Sequence, residues 1–166
     1  MKQLSLVAII LLGTSSAAFA DQGKWKNQTE KSALTDRTSV YWVIEAENKV
    51  ADSIGNPRAP VFYTMCLENE TRAVFAVNSY MGNDGIDMAY RIDDGQVQRT
   101  RVDVSTDGRL FGFWNGTGVK FLKDLRDKKK LVISATPYNE GPSEGVFMIE
   151  GVNDMLADVG KTCGWP

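Results

Sequence analysis

Residues 86–108 read IDMAYRIDDGQVQRTRVDVSTDG. Ile86, Met88, Tyr90 and Ile92 alternate with Asp87, Ala89, Arg91 and Asp93. A period of two places successive side chains on opposite faces of an extended chain, so the segment predicts a strand with one buried face. Asp94-Gly95 follows as a hairpin turn signal, Val97–Val104 supplies the partner strand, and Asp107-Gly108 turns again into Arg109–Trp114. Strands joined by tight turns argue an antiparallel arrangement, because parallel neighbours need long crossovers.

Working outward, the same grammar recurs. Upstream, Val61–Leu67 and Arg72–Val77 are β-branched and aromatic runs separated by Glu68-Asn69-Glu70-Thr71, which reads as a hairpin. Val40, Trp42 and Ile44 alternate with Tyr41, Val43 and Glu45, a strand with both faces partly buried. Ser53–Pro60, carrying Gly55, Asn56 and Pro57, is a loop. Residues 21–36 are polar around a single Trp25 and read as a loosely ordered N-terminal segment. Downstream the period lengthens. Val119, Leu122 and Leu125, with Phe121, mark a short amphipathic helix, and Val152, Met155, Leu156 and Val159 mark a second. Between them lie strands at Leu131–Ala135 and Val146–Ile149. The sum is a mainly β chain: a single-domain β-sandwich over residues 37–166, of about seven to nine short antiparallel strands, with two short helices in the C-terminal half.

The chain begins with Lys2, an apolar run from Leu4 to Leu12, and Ala18-Phe19-Ala20 before Asp21. Charge, apolar stretch and small-residue cleavage site make residues 1–20 a signal peptide, and the destination a periplasm. The run is well short of the roughly 20 residues that span a bilayer, and no transmembrane segment is expected in the mature chain. Removing 20 residues from 166 leaves 146, enough for one domain with its own core. Loss of Lys2 takes the formal charge from −2 to −3. Such a balance is not the footprint of a nucleic-acid binder, and Lys128-Lys129-Lys130, the one basic run, reads as a solvated helix end.

The chain has no His. That removes Ser-His-Asp and Cys-His catalysis and the commonest transition-metal ligand. Two Cys remain, and in an exported chain an even pair reads as a disulfide, Cys66 with Cys163. No metal or cofactor site is expected. Asn83-Asp84-Gly85 with Asp87 offers oxygen ligands but lacks the EF-hand spacing, so it reads as a hairpin tip. Asp87, Asp93, Asp94, Asp103 and Asp107 lie close in sequence, and a carboxylate pair across a cleft is the requirement of glycoside hydrolysis. Asp94 and Asp107 precede Gly and are explained by turn chemistry, so no catalytic residue is assigned. Arg91 shares a strand face with Asp87 and Asp93 and is placed in a cross-strand ion network with Arg99 or Arg101. The candidate partner-binding residues are Trp114, at a strand end before Asn115-Gly116, Tyr138, in the turn-rich link to Gly145, and Arg91.

A set of short motifs, in order, resembles one family. Ser32-Ala33-Leu34-Thr35-Asp36 precedes the first strand, and Cys66-Leu67-Glu68-Asn69-Glu70-Thr71 follows. Next come Tyr90-Arg91-Ile92-Asp93 and Ser105-Thr106-Asp107. Phe121-Leu122-Lys123-Asp124-Leu125 then leads to Leu131-Val132-Ile133, and Cys163-Gly164-Trp165 closes the set. From about Lys31 to Trp165 the chain is similar to the periplasmic proteins encoded with type VI secretion systems, called VasI or TagO, and their prophage relatives. The resemblance implies an accessory protein that assists assembly of a secretion apparatus. It brings no catalytic residues and carries over only Cys66 and Cys163. The expected function is therefore a periplasmic accessory or binding protein that docks a cell-envelope protein, a secretion-apparatus component or a peptidoglycan-acting enzyme. The alternatives are a carboxylate-dependent glycan-acting enzyme and a small lysozyme inhibitor presenting the Tyr138–Gly145 loop.

Overall fold

A computed structural model of the chain describes residues 20–22 and 24–165. Apart from Ala20, the expected signal peptide lies outside the described residues. The first half runs β1 (Ala20–Gln22), β2 (Trp25–Lys31), β3 (Thr38–Glu45), β4 (Val50–Ala51), β5 (Pro57–Arg58), β6 (Val61–Leu67) and β7 (Glu70–Ala76). The second runs β8 (Ile86–Ile92), β9 (Gln98–Val104), β10 (Phe111–Phe113), α1 (Val119–Asp124), β11 (Lys130–Ala135), β12 (Ser143–Met148) and α2 (Val152–Thr162). Among the described residues no helix is long and apolar enough to cross a membrane.

Ten of the strands pair in the order β1-β2-β3-β6-β7-β10-β9-β8-β11-β12, every neighbour antiparallel, while β4 and β5 form a separate ribbon. The mainly β sandwich with two late helices is the architecture the alternating pattern predicts, and it has more strands than the expected seven to nine. The excess comes from β1, β2, β4 and β5, which are too short, or too polar, to show a clear period.

The long sheet bends at β9. Residues up to Val102 pair with β8, whereas Asp103 and Val104 pair with Gly112 and Phe111 of β10. One strand thus belongs to both layers. Gly112 permits the junction: its φ is +149°, and a Cβ there would lie 2.3 Å from the Ala73 carbonyl oxygen. On the opposite side the layers meet at Asn48. Its side-chain amide donates to the Glu144 carbonyl at 2.7 Å and accepts from the Val146 N–H at 2.8 Å. The Glu47 N–H donates to the Val146 carbonyl alongside.

Between the layers an apolar row runs straight across four strands: Ile44, Phe62, Phe75 and Phe111 stand opposite one another in register and are buried. Trp25 adds an edge-on contact to Phe62 at 5.8 Å. Phe147 of β12 meets Phe62 from the other layer at 6.0 Å. Helix α1 inserts Phe121 between Phe113 and Tyr90, with ring centroids 5.0 and 5.2 Å away. The neighbouring row is Trp42, Thr64 and Ala73, whose small members leave space that α2 fills with Val152, Met155, Leu156 and Val159. The α2 residues recur at i, i+3, i+4 and i+7, one stripe of a helix.

Three contacts fasten α2. The disulfide joins Cys66 of β6 to Cys163 at the helix end, with Cα atoms 5.6 Å apart, as expected from the sequence. The Trp42 indole N–H donates to Asp158 at 2.8 Å, and that of Trp165 donates to the Thr71 hydroxyl at 2.8 Å.

One expectation is corrected. The segment at residues 21–36, read as loose, contains β2, which pairs with β3 from Lys26↔Val43 to Lys31↔Thr38, and Trp25 is fully buried. A single large aromatic side chain anchors a strand whose other residues are polar because they face solvent or lie near an edge.

Candidate functional site

The structure places the three candidate partner-binding residues on three different surfaces. Arg91 is exposed on the outer face of β8, above a shallow depression shared with Ala89, Val97, Val132 and Glu144. The expected ion network is reduced to one exposed pair, Arg101 with Asp87 at 3.9 Å. Asp93 is turned away to another task, accepting from the N–H groups of Lys129 and Lys130 at 3.0 and 2.9 Å. Tyr138 lies in an end loop, 62% exposed, beside Tyr80. Trp114 is only half-buried by its own sheet. The Arg72 guanidinium lies over its ring, 5.7 Å from the centroid, and the indole N–H is sealed from solvent.

Trp114 belongs to a larger surface, the outer face of the layer built on β2, β3, β6, β7 and β10. Strand alternation sends Phe62, Thr64 and Cys66 inward and leaves Val61, Tyr63, Met65 and Leu67 outside. In β3 the outward residues are Tyr41 and Val43. Register then assembles rows across the strands. Gln28, Tyr41, Met65 and Arg72 stand opposite one another, and Arg72 extends the row to Trp114. The next row is Lys26, Val43, Tyr63, Val74 and Gly112. Tyr41, Val43, Tyr63 and Met65 are each partly accessible, and they line a cleft of about 360 Å³ with Gln28 and Glu30.

An antiparallel sheet with one solvated face ordinarily shows polar residues there. This face instead joins Tyr, Trp, Met and Arg, the residue types enriched in the buried centres of protein interfaces. Lys26, Glu30, Glu45 and Glu70 border it, a charged rim around an apolar middle. Glu70 also pairs with Arg72 at 3.3 Å. Half-burial raises the pKa of the Tyr63 phenol above its ordinary value, and the nearby Glu45 carboxylate adds to the effect. Tyr63 is therefore a neutral hydrogen-bond donor throughout the physiological range.

Two of the carboxylates considered for glycan chemistry, Asp93 and Asp107, are engaged in local structure. Backbone N–H groups of Lys129 and Lys130 hold the Asp93 carboxyl below its usual range. A hydrogen bond from Ser105, with the Arg109 N–H, does the same for Asp107. A general acid in glycoside hydrolysis needs the opposite shift. Among the described residues no group of three or more Cys, Asp or Glu side chains could hold a metal ion.

A larger cleft, about 670 Å³, opens beside the disulfide between Arg37, Asn69, Asp158 and Lys161. It lies at the end where the β6–β7 turn meets α2. That turn is tight: Glu68 and Asn69 take φ of +51° and +70°, the two-residue geometry that matches the twist of a hairpin.

The site residues missed in the sequence are Tyr41, Tyr63, Met65 and Tyr80. For the first three a signal was present, since Tyr41 and Val43, and Val61, Tyr63, Met65 and Leu67, are apolar at the phase that should be polar. Tyr80 precedes a Gly/Asn-rich loop and carries no period.

No family model matches this chain, and no curated protein sequence does. Among solved structures, its fold is similar to that of the invasion associated protein B from Bartonella henselae, with a TM-score of 0.55, 10% sequence identity, and 85% of this chain and 94% of that chain covered. At that identity the likeness concerns the arrangement of strands and helices alone.

Proposed function

We propose that this protein is an exported periplasmic recognition domain that docks a cell-envelope protein through the outer face formed by Tyr41, Val43, Tyr63, Met65 and Trp114. The observation that carries the reading is the contiguous aromatic and apolar row structure of a sheet face turned to solvent, rimmed by charge. The Cys66–Cys163 disulfide supports export, since such bonds persist in oxidising compartments. The accessory role implied by the resemblance to VasI and TagO proteins agrees with a domain that works by docking.

A photo-crosslinking amino acid tests the reading. Placed at Tyr41 or Met65 and activated in living cells, it is expected to trap an envelope protein. The same group at Val132, on the outer face of the other layer, should trap far less of it. Charge inserted by Met65→Glu should abolish capture while the purified domain keeps its circular dichroism and melting behaviour. Equal capture from Val132, or undiminished capture by the Met65→Glu chain, would sink the proposal.

A further inference from the structure

At one end of the sandwich three connections converge: the loop after β7, the Ser105–Gly108 turn, and the Pro137–Glu140 turn after β11. Their backbones are tied together. The Tyr138 N–H donates to the Tyr80 carbonyl at 2.8 Å, and the Met81 N–H donates to the Gly108 carbonyl at 2.8 Å. The Ser79 hydroxyl donates to Glu140 at 2.9 Å. Upon this platform stand two tyrosine rings, Tyr80 and Tyr138, which are 42% and 62% exposed. Their centroids are 6.1 Å apart and their planes cross at 73°, so together they form an open corner.

The Tyr80 wall of the corner is fixed in advance, and the Tyr138 wall is anchored through its backbone. The Tyr80 ring lies directly on the backbone at Gly108, where a Cβ would come within 2.1 Å of it. The Tyr80 hydroxyl donates to the Asn83 side-chain carbonyl at 2.5 Å, which orients that amide toward the rings. Asn83 and Asp84 are exposed beside the corner, and the cleft they share with the two tyrosines measures about 430 Å³. Preformed aromatic surface with a few placed polar groups is the composition of a small-ligand site.

We propose that this corner is an oligosaccharide-binding subsite for β-linked pyranose chains. In β-1,4-linked chains of gluco configuration, the class this corner fits, the ring substituents are all equatorial, so each ring face presents a sheet of C–H groups that a tyrosine face can cover. The hydroxyls then point outward at the ring edge, where the Asn83 amide and Asp84 carboxylate can bond them in pairs. The dimensions favour a sugar over a protein. Two rings and a neighbouring amide match one or two pyranose units, whereas a stable protein interface needs about 800 Å² on each partner. The subsite is separate from the docking face, so each can fail without the other.

The test is titration of the disulfide-bonded domain with chitotetraose and cellotetraose, with α-linked maltotetraose as comparison, followed by calorimetry and by backbone amide NMR shifts. Saturable binding of a β-linked chain is expected, with shifts confined to the amides around Tyr80–Gly85 and Tyr138. Tyr138→Ala should weaken affinity by about tenfold or more, comparable to the loss of one stacked ring, and Tyr138→Phe should restore most of it. Met65→Glu should leave sugar binding intact. Absence of saturable binding to both β-linked chains would overturn the proposal. So would shifts centred elsewhere, equal binding of maltotetraose, or a protein partner that Tyr138→Ala alone releases.

Discussion

β6 carries two faces of similar apolar character with opposite fates. Inward, Phe62 stacks on Phe75 with centroids 4.5 Å apart, and Cys66 is bonded to the end of α2. Outward, Tyr63 and Met65 are partly accessible and line an open cleft, while their neighbour Val74 on the same face is buried. Composition alone therefore does not decide what is core. The inner face is core because β12, α1 and α2 lie on it, and the disulfide holds the end of α2 there. Around Tyr41, Val43, Tyr63 and Met65 the outer face has the same chemistry with only part of that cover, which is the condition of a surface kept for something else.

The sharpest break of this comparison is a pair of truncations one residue apart. Phe62→Ala should cost about 3–5 kcal/mol, the usual range for a buried phenylalanine. Tyr63→Ala should cost under about 1 kcal/mol in the isolated domain, because its ring is already partly in water. Urea unfolding of both variants checks the contrast, and similar losses would mean that the outer face is structural.

Next in size is the staple. The Cys66–Cys163 bond closes a loop with a sequence separation of 97. In the chain-entropy account, closing a loop of this length stabilises by at most about 4.7 kcal/mol, with 2–4 kcal/mol typical. A Cys66→Ala, Cys163→Ala double variant should fall in that typical range, with the near-ultraviolet signals of Trp42 and Trp165 changing most. A loss below about 1 kcal/mol would show that α2 is held by packing and by the two indole hydrogen bonds alone.

The smallest effect concerns Asp93, whose folded pKa lies below the ordinary value because the Lys129 and Lys130 N–H groups bond its ionised form. A depressed folded pKa contributes stability that is present above the unfolded value of 3.8 and is lost as pH falls through the folded one. Asp93→Asn should therefore lower stability modestly at pH 7, where the charge-assisted bonds are lost, and converge on the parent chain below about pH 4, which flattens the acid limb of the stability-against-pH curve. An unchanged acid limb would assign the acid sensitivity to other carboxylates.

Much of the fold was legible because alternation is physically enforced. From Ile86 to Ile92 every second residue packs against the core, Met88 fully buried and Ile86, Tyr90 and Ile92 partly so, and the pattern names both the strand and its inner face. The two helices announced themselves by their change of period, and the disulfide by the parity of cysteines. Trp25 shows the limit: one residue cannot display a period, so a strand pinned by a single indole looks like a polar tail. The site was less legible still. In the sequence Trp114, Tyr138 and Arg91 stand as isolated residues, whereas the outer face exists only once β3, β6 and β7 are set side by side in register. The Tyr80–Tyr138 corner likewise depends on loops far apart in sequence, joined by backbone hydrogen bonds that leave no mark on composition.

The disulfide also gives the molecule a topology. Residues 66–163 form a closed covalent ring containing β7 to α2, while β2 and β3 belong to the tail outside it and complete the same sheet. A protease that cuts one of the exposed turns inside the ring, such as Asp94–Gly95, opens a hoop without detaching any piece of it. Both halves stay tied together until a reductant arrives. A cut in the tail, between β3 and β6, is held by no such bond, and what it can release carries Trp25 and Trp42 out of the sheet. The point vulnerable to such a cut is therefore the Glu47–Pro60 connection, and the Asn48 bridge to β12 is what keeps its first turn fastened down.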